Sequence, residues 1–181
     1  MHYFRAILLS ILLTFGASVH AESSHFVKFL ADKYEKGELN LPKSKLQEID
    51  CMGKNLWFEA RGDTFEGKKM VAEVVINRSN FGRPFKSGIC EVVYQKGQFQ
   101  WVERGSLKDV KFDYILHKYL NTVEKQYMRD ALELSIQYVL LTPKSKTEAT
   151  NFCSARYDCK FKGVEFLGRY GAHNFYKLVK R

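Results

Sequence analysis

Residues 51–78 read CMGKNLWFEARGDTFEGKKMVAEVVINR, and this stretch predicts two helices that meet at a sharp turn. From Lys45 to Ala60 apolar residues recur at intervals of three and four, which indicates a helix. Gly62 is typical of the residue just past a helix end. Glu59 is therefore expected to project from the last turn of the first helix, among apolar neighbours.

The second helix is expected to begin directly after that turn and to end near Arg78. Asp63 and Glu66 form a D-x-x-E arrangement, whose first and last side chains can cap a helix reciprocally. Apolar residues such as Val71 and Val74 face inward in this prediction. Two helices joined by so short a turn indicate a mainly helical core.

The remaining elements complete a mainly α (α+β) prediction. A short helix is expected over 87–94, and the recurring apolar positions over 122–141 predict the longest helix. The charged stretch 102–121 indicates a surface loop with a helical turn or two. After Pro143 the chain is rich in small and aromatic residues, which favours a small strand and loop region near the C-terminus.

The N-terminus has the pattern of a secretory signal peptide. Arg5 precedes an apolar run that ends at Phe15, and small residues lead to an expected cleavage site after Ala21. A retained membrane anchor is the alternative, although the run is short for a span. We therefore expect a periplasmic or secreted protein. The expected division of the chain is a signal peptide over 1–21, a polar segment over 22–45 and one domain over 46–181.

Composition limits the partners and the redox environment. Without the signal peptide the chain carries 28 Lys and Arg against 20 Asp and Glu, a net charge of +8 that favours anionic partners. The basic residues are scattered in pairs, so nucleic acid is not expected. Four cysteines in an exported chain, with no C-x-x-C pair, favour two disulfides over a metal site.

The sequence lacks the residues that several classes of enzyme need for catalysis. His25, His117 and His173 show no H-E-x-x-H spacing, so neither a metal site nor a cofactor is expected. There is no G-x-S-x-G motif, and the even cysteine count argues against a catalytic thiol. Glu59 remains, because apolar surroundings raise a carboxyl pKa toward the value that a general acid needs in glycosidic bond cleavage. The alternative is a structural Glu59, paired with Arg61 or with a backbone donor.

Four stretches in order resemble the cell wall hydrolases of the spore-cortex-lytic (SleB-like) type: CMGKNLWFEARGDTFEGKKMVAEVVINR, ICEVVYQKGQFQW, EATNF and GAHNFYK. The resemblance is close from Cys51 to Trp101 and looser from Thr147 to Lys177. It implies a lysozyme-like, mainly helical catalytic domain that cleaves peptidoglycan between N-acetylmuramic acid and N-acetylglucosamine. We expect a monomer that does not insert stably into the membrane after signal cleavage.

The resemblance also assigns roles to individual residues. The family's catalytic glutamate falls on Glu59, and the matching loop and C-terminal signature imply sugar contacts. The candidate substrate-binding residues are Gln98, Phe99, Trp101, His173, Tyr176 and Asn77. Core packing is the alternative for Trp101, and a tie between a helix end and a loop is the alternative for Asn77.

Two reactions fit this assignment. Many such relatives resemble lytic transglycosylases, in which one residue gives a proton to the leaving sugar and then takes one from the C6 hydroxyl, closing a 1,6-anhydro ring. A hydrolytic muramidase needs a second carboxylate, for which Asp63, Glu66 and Glu73 are the candidates, each also explained by capping or packing. We expect the transglycosylase. A wall-binding protein and an N-acetylmuramoyl-L-alanine amidase are further alternatives, and the amidase lacks its zinc ligands.

The cysteines also bear on the cleft. Cys51 lies at the start of the catalytic helix and Cys90 in the short helix before GQF, so a bridge between them would pin the acid's helix to the sugar-binding loop. Cys153 and Cys159 would form a second, local bridge, and other pairings stay open. The chain departs from the family at Asp63, where Glu is usual.

Overall fold

The computed structural model describes residues 25–118 and 121–179. The expected signal peptide lies outside these residues. The chain divides into two compact units, Met1–Leu39 and Asn40–Arg181. In the first unit the described part is helix α1, residues 25–35, followed by a turn.

The second unit is built mainly from helices. Their bounds are Lys43–Ala60 for α2, Phe65–Phe81 for α3, Ile89–Val93 for α4, Phe112–Leu116 for α5 and Thr122–Leu140 for α6. Two 3-10 turns, Gln100–Glu103 and Gly105–Leu107, lie between α4 and α5. The expected helices are confirmed, and α3 continues about one turn beyond Arg78.

Helix α2 packs against each of the other four helices of this unit. Its residues Met52 and Leu56 are fully buried, as are Val74 of α3 and Leu134 of α6. At Gly53 a Cβ atom would lie 2.7 Å from the ring of Phe112, so only glycine lets α5 approach α2 this closely. The core thus surrounds the helix that carries Glu59.

The cap of α3 differs from the expectation. The Oγ1 atom of Thr64 accepts a hydrogen bond from the backbone N–H of Gly67 at 3.1 Å, so Thr64 is the N-cap. Glu66 pairs with Lys69 on the helix surface. The predicted reciprocal cap between Asp63 and Glu66 is therefore wrong, because the carboxylate of Asp63 accepts tertiary hydrogen bonds instead.

A three-stranded antiparallel sheet follows α6. Its strands are Asn151–Ser154 for β1, Val164–Tyr170 for β2 and His173–Leu178 for β3, in the order β1-β3-β2. Phe152 pairs with Phe175, which is fully buried, so these two residues mark the inner face of the sheet. A mainly helical fold with a small C-terminal sheet confirms the predicted fold class.

Both expected disulfides are present. Cys51–Cys90 joins α2 to α4, and Cys153–Cys159 closes a local loop after β1. Among the residues that the structure describes, no helix combines the length and apolarity needed to cross a membrane. The same residues contain no group of three or more His, Cys, Asp or Glu side chains arranged to hold a metal ion.

Candidate active site

Glu59 lies in the last turn of α2, one residue before the helix ends. Its side chain is only partly accessible to water. The turn behind it is tight, since the backbone N–H of Asp63 donates to the carbonyl oxygen of Ala60 at 2.9 Å. Among the described residues, none donates a hydrogen bond to the Glu59 carboxyl group.

The surroundings of Glu59 favour its protonated form. Burial raises its pKa from 4.5 to about 7, although the positive charges of Arg78 and Arg104 act in the opposite direction. The C-terminal end of a helix carries partial negative charge, which also disfavours a carboxylate in the last turn. Near neutral pH this carboxyl group therefore exists in both protonation states and can donate or accept a proton.

Arg78 is a buried cation next to this acid. Its side chain is 4% exposed, and its guanidinium lies 5.1 Å from the ring centres of both Phe85 and Phe99. The Nε atom donates to the carbonyl oxygen of Thr150 at 2.6 Å. Burial lowers the pKa of Arg78 to about 10, so it stays charged at neutral pH.

The Nη1 atom of Arg78 is buried and has no hydrogen-bond partner within the described part of the chain. Burying an unpaired donor is costly, and such atoms call for an explanation in terms of function or solvent. Here the guanidinium is fixed by Thr150 and two rings, while one donor stays unused near Glu59. The positive charge of Arg78 is therefore held in a fixed position, where it stabilises Glu59 when that side chain loses its proton.

Phe99 and Trp101 are core residues, with exposures of 2% and 3%. Trp101 stacks on Phe58, with ring centres 4.9 Å apart, and its Nε1 atom donates to Oδ1 of Asn55 at 3.1 Å. Phe99 packs near Phe152 of the sheet. Neither ring presents a free face, so their burial favours core packing, the alternative named for Trp101, over the predicted role as sugar platforms. They support the wall around Glu59.

Gln98 occupies the loop between α4 and the first 3-10 turn. Its side chain is partly exposed and forms no hydrogen bond with any described residue. Its backbone N–H donates to the carbonyl oxygen of Gln95 at 3.1 Å, which holds the loop in a turn. The amide group is thus available to a ligand.

His173 is joined to Asp63. The Nδ1 atom of His173 lies 2.8 Å from Oδ2 of Asp63, and the other carboxylate oxygen accepts the backbone N–H of Ala172 at 2.9 Å. A Cβ atom at Gly171 would collide with this carboxylate, so the hairpin turn needs glycine there. These contacts hold the β2–β3 turn, and with it His173, against the turn that follows Glu59.

Tyr176 does not share a face with His173. Successive residues of a strand point to opposite faces, so His173 and Phe175 lie on the inner face and Tyr176 lies on the outer one. Its ring is 5.4 Å from the rings of both Phe161 and Phe166. The structure therefore places His173 and Tyr176 on opposite faces of the sheet and does not bring them together in one cleft.

Asn77 and Glu73 tie α3 to the segment before the sheet. The Nδ2 atom of Asn77 donates to the carbonyl oxygens of Thr147 and Ala149, at 3.0 and 2.8 Å. The buried carboxylate of Glu73 accepts five hydrogen bonds, from Tyr138 and from residues 145–147. Both side chains are committed to structure, although Asn77 also lines a groove of about 550 Å³ beside β3.

Sequence reasoning did not select the two arginines that act on Glu59. Arg78 follows Val71, Val74 and Val75 at helical spacing, and a cation on an apolar stripe is a signal for a buried, functional charge. No local pattern marks Arg104, because the fold of the 3-10 turns brings it near α2.

A protein family model described as Cell Wall Hydrolase matches residues 62–176, more than half of the chain. The match covers Asp63, Gln98 and His173, and it begins three residues after Glu59. No curated protein and no solved structure matches the chain.

Proposed function

The chain belongs to the cell wall hydrolase family, and from this premise we propose that it cleaves peptidoglycan glycan strands as a lytic transglycosylase with Glu59 as its single acid and base. The proposed bond lies between N-acetylmuramic acid and N-acetylglucosamine. The observation that carries the proposal is a partly buried carboxyl group at a helix end with a pKa of about 7 and no hydrogen bond from any described residue. A group of this kind can transfer a proton in both directions at neutral pH.

In the first step, protonated Glu59 gives its proton to the glycosidic oxygen. The bond between that oxygen and C1 of the muramic acid breaks, the N-acetylglucosamine leaves with a new hydroxyl group, and Glu59 becomes a carboxylate. Positive charge develops at C1 in such a transition state. The buried Arg78 offsets the negative charge that Glu59 acquires.

In the second step, the Glu59 carboxylate takes the proton of the C6 hydroxyl group of the same muramic acid. The C6 oxygen then bonds to C1 and closes a 1,6-anhydro ring. Glu59 is protonated again, and no water is consumed. One carboxyl group therefore completes the cycle.

The other acidic side chains near Glu59 already have hydrogen-bond or ion-pair partners, which supports this route over hydrolysis. Asp63 accepts hydrogen bonds from Thr64, Ala172 and His173. Glu73 is saturated by five donors, and Glu66 lies on the surface beside Lys69. A hydrolase needs a second carboxylate that activates water or attacks C1. Within the described residues these three side chains have other partners.

The proposed site includes Gln98 and His173 as sugar contacts. Gln98 offers an amide that can bond to an acetamido group. The bond to Asp63 fixes the ring of His173, whose Nε2 atom remains for a ligand. The family and the two disulfides indicate an extracytoplasmic protein, and we propose a periplasmic or secreted location. The proposed domain boundaries remain a signal peptide over 1–21 and a catalytic domain over 46–181.

Digestion of purified peptidoglycan in oxygen-18 water tests the reaction. We expect 1,6-anhydromuramic products without the heavy isotope, because the ring closes with the sugar's own hydroxyl oxygen. A labelled reducing end on muramic acid would identify a muramidase and contradict the proposal. Free stem peptides would identify an amidase and contradict it equally.

A further inference from the structure

Three aromatic side chains cluster on the outer face of the sheet, and we call Phe161, Phe166 and Tyr176 the outer aromatic surface. Phe166 pairs with Tyr176 across β2 and β3, and Phe161 packs edge-on against the same tyrosine. Phe166 is 57% exposed and Phe161 38% exposed. The rings thus form one surface that is open to water.

Folding does not explain this exposure. A sheet that packs on one side places apolar residues inward and polar residues outward. The inner face here follows the rule, since Phe152 and Phe175 pack together there. The outer face breaks the rule with its largest side chains. Breaks in the polar pattern at exposed positions mark interaction sites.

Polar groups that suit an anionic sugar surround these rings. Register places Asn151 beside Tyr176, and Asn174 beside Arg169, all on the outer face. Exposed Lys160 and Lys162 flank Phe161 in the chain. Amide groups can bond to acetamido groups, and the cations complement carboxylates.

We propose that the outer aromatic surface is a second binding site for the glycan strand of peptidoglycan, separate from Glu59. The rings would stack on sugar rings, while Arg169 and the lysines would pair with the carboxylates of lactyl groups and stem peptides. The polymer's identity rests on the proposed function, but the binding does not depend on which bond is cleaved. Tyr176 lies on the face opposite His173, so the two sites engage different parts of the wall.

On insoluble wall, this surface keeps the enzyme bound when the Glu59 site lets go of a strand. The Glu59 site can then rebind nearby, so the local concentration of the enzyme on the wall rises. It adds nothing on a disaccharide fragment that is too short to reach both sites. The structure therefore assigns the two sites different effects, with Glu59 controlling cleavage of every substrate and the outer aromatic surface controlling retention on the polymer.

Sedimentation with insoluble peptidoglycan sacculi tests the proposal, with the full chain carrying Glu59→Gln so that the polymer stays intact. Phe161→Ser with Phe166→Ser should weaken binding by about tenfold, since two ring contacts are lost. The matched control is Phe65→Ser with Tyr114→Ser, which removes two exposed rings elsewhere and should leave binding unchanged. Equal binding by both double variants would overturn the proposal.

A second variant guards against misfolding. Arg169→Gln keeps all three rings and should weaken binding to sacculi while the thermal midpoint stays within about 2 °C. Binding to anionic vesicles and the sedimentation mass are measured in parallel. If the variants keep their binding to sacculi but lose binding to vesicles, the surface binds a membrane and the proposal is overturned. If they keep their binding to sacculi but no longer form a dimer, the surface binds a second copy of the chain and the proposal is equally overturned. If the active chain cleaves nothing, the sacculus-binding result still stands.

Discussion

The Nδ1 atom of His173 lies 2.8 Å from Oδ2 of Asp63, so one hydrogen bond joins the C-terminal sheet to the turn that follows α2. The two side chains are 12% and 3% exposed. The same carboxylate holds the backbone of Ala172. Asp63 is therefore a tertiary anchor for the hairpin that carries His173, and its loss affects the site as well as the fold.

Asp63→Ala is predicted to lower the free energy of unfolding by about 2–3 kcal/mol. The change removes the charged acceptor of two donors, the exposed backbone N–H of Ala172 and the partly buried Nδ1 atom of His173. A mere weakened cap would cost about 1 kcal/mol. Urea unfolding measures the difference, with the exposed Asp109→Ala as a control that should change stability by less than about 0.5 kcal/mol. Equal stability of both variants would contradict the anchoring role.

The pH dependence of kcat/KM should show a single basic limb near pH 7. Glu59 must be protonated to start the reaction, and burial raises its pKa to about 7. Activity therefore falls as the pH rises through that value. A muramidase would add an acidic limb from its second carboxylate. Initial rates on soluble glycan fragments between pH 4 and 9 distinguish one limb from two.

Arg104→Ala should move that basic limb to higher pH by roughly half a unit. The charge of Arg104 favours the carboxylate form of Glu59, so its removal raises the pKa of Glu59. Arg83→Ala makes the same charge change on an exposed arginine that does not act on Glu59, and the limb should stay in place. An identical shift in both variants would indicate a net-charge effect only.

Glu59→Gln should make the protein more stable than the parent at pH 8 but not at pH 4. The folded-state pKa of Glu59 is raised, so its favourable contribution is complete below pH 4.5 and is lost as the pH rises through about 7. The neutral amide avoids this loss, and we expect a gain of about 1–3 kcal/mol at pH 8. Unfolding curves at both pH values measure it. If the difference in the free energy of unfolding between parent and variant were the same at both pH values, the pKa of Glu59 would not be raised by folding.

Removing the Cys51–Cys90 bridge should cost more stability than removing Cys153–Cys159. The bridges span sequence separations of 39 and 6, which correspond to about 4 and about 2 kcal/mol in the chain-entropy model. The first bridge also holds α4, and the loop that carries Gln98, against α2. Double alanine variants compared by thermal unfolding test the order, and the reverse order would contradict it.

Local patterns predicted the part of the site that local structure determines. Helical spacing located Glu59 in the last turn of α2, because residues three and four apart share a face. The alternation of a strand would also have separated Tyr176 from His173, since residues three apart in a strand point to opposite faces. That separation could have been predicted once strands were expected after Pro143.

Other features depend on residues far apart in the chain. The role of Asp63 is set by Ala172 and His173, more than a hundred positions away, so a D-x-x-E pattern alone suggested the wrong cap. Phe99 is buried by Phe152 of the sheet, which no local pattern at the GQF loop indicates. The sequence could therefore single out Glu59 as the candidate acid, while the packing of the residues around it could be described only from the fold.

The most direct test of the central claim compares Glu59→Gln with Glu66→Gln on purified peptidoglycan. Both variants make the same chemical change, but only Glu59 is the proposed proton donor, and Glu66 lies on the surface beside Lys69. Mass spectrometry of the released products should show at least a ~100-fold loss of 1,6-anhydromuramic fragments for Glu59→Gln, with an intact fold, and parent-like release for Glu66→Gln. Near-parental release by folded Glu59→Gln would contradict the account.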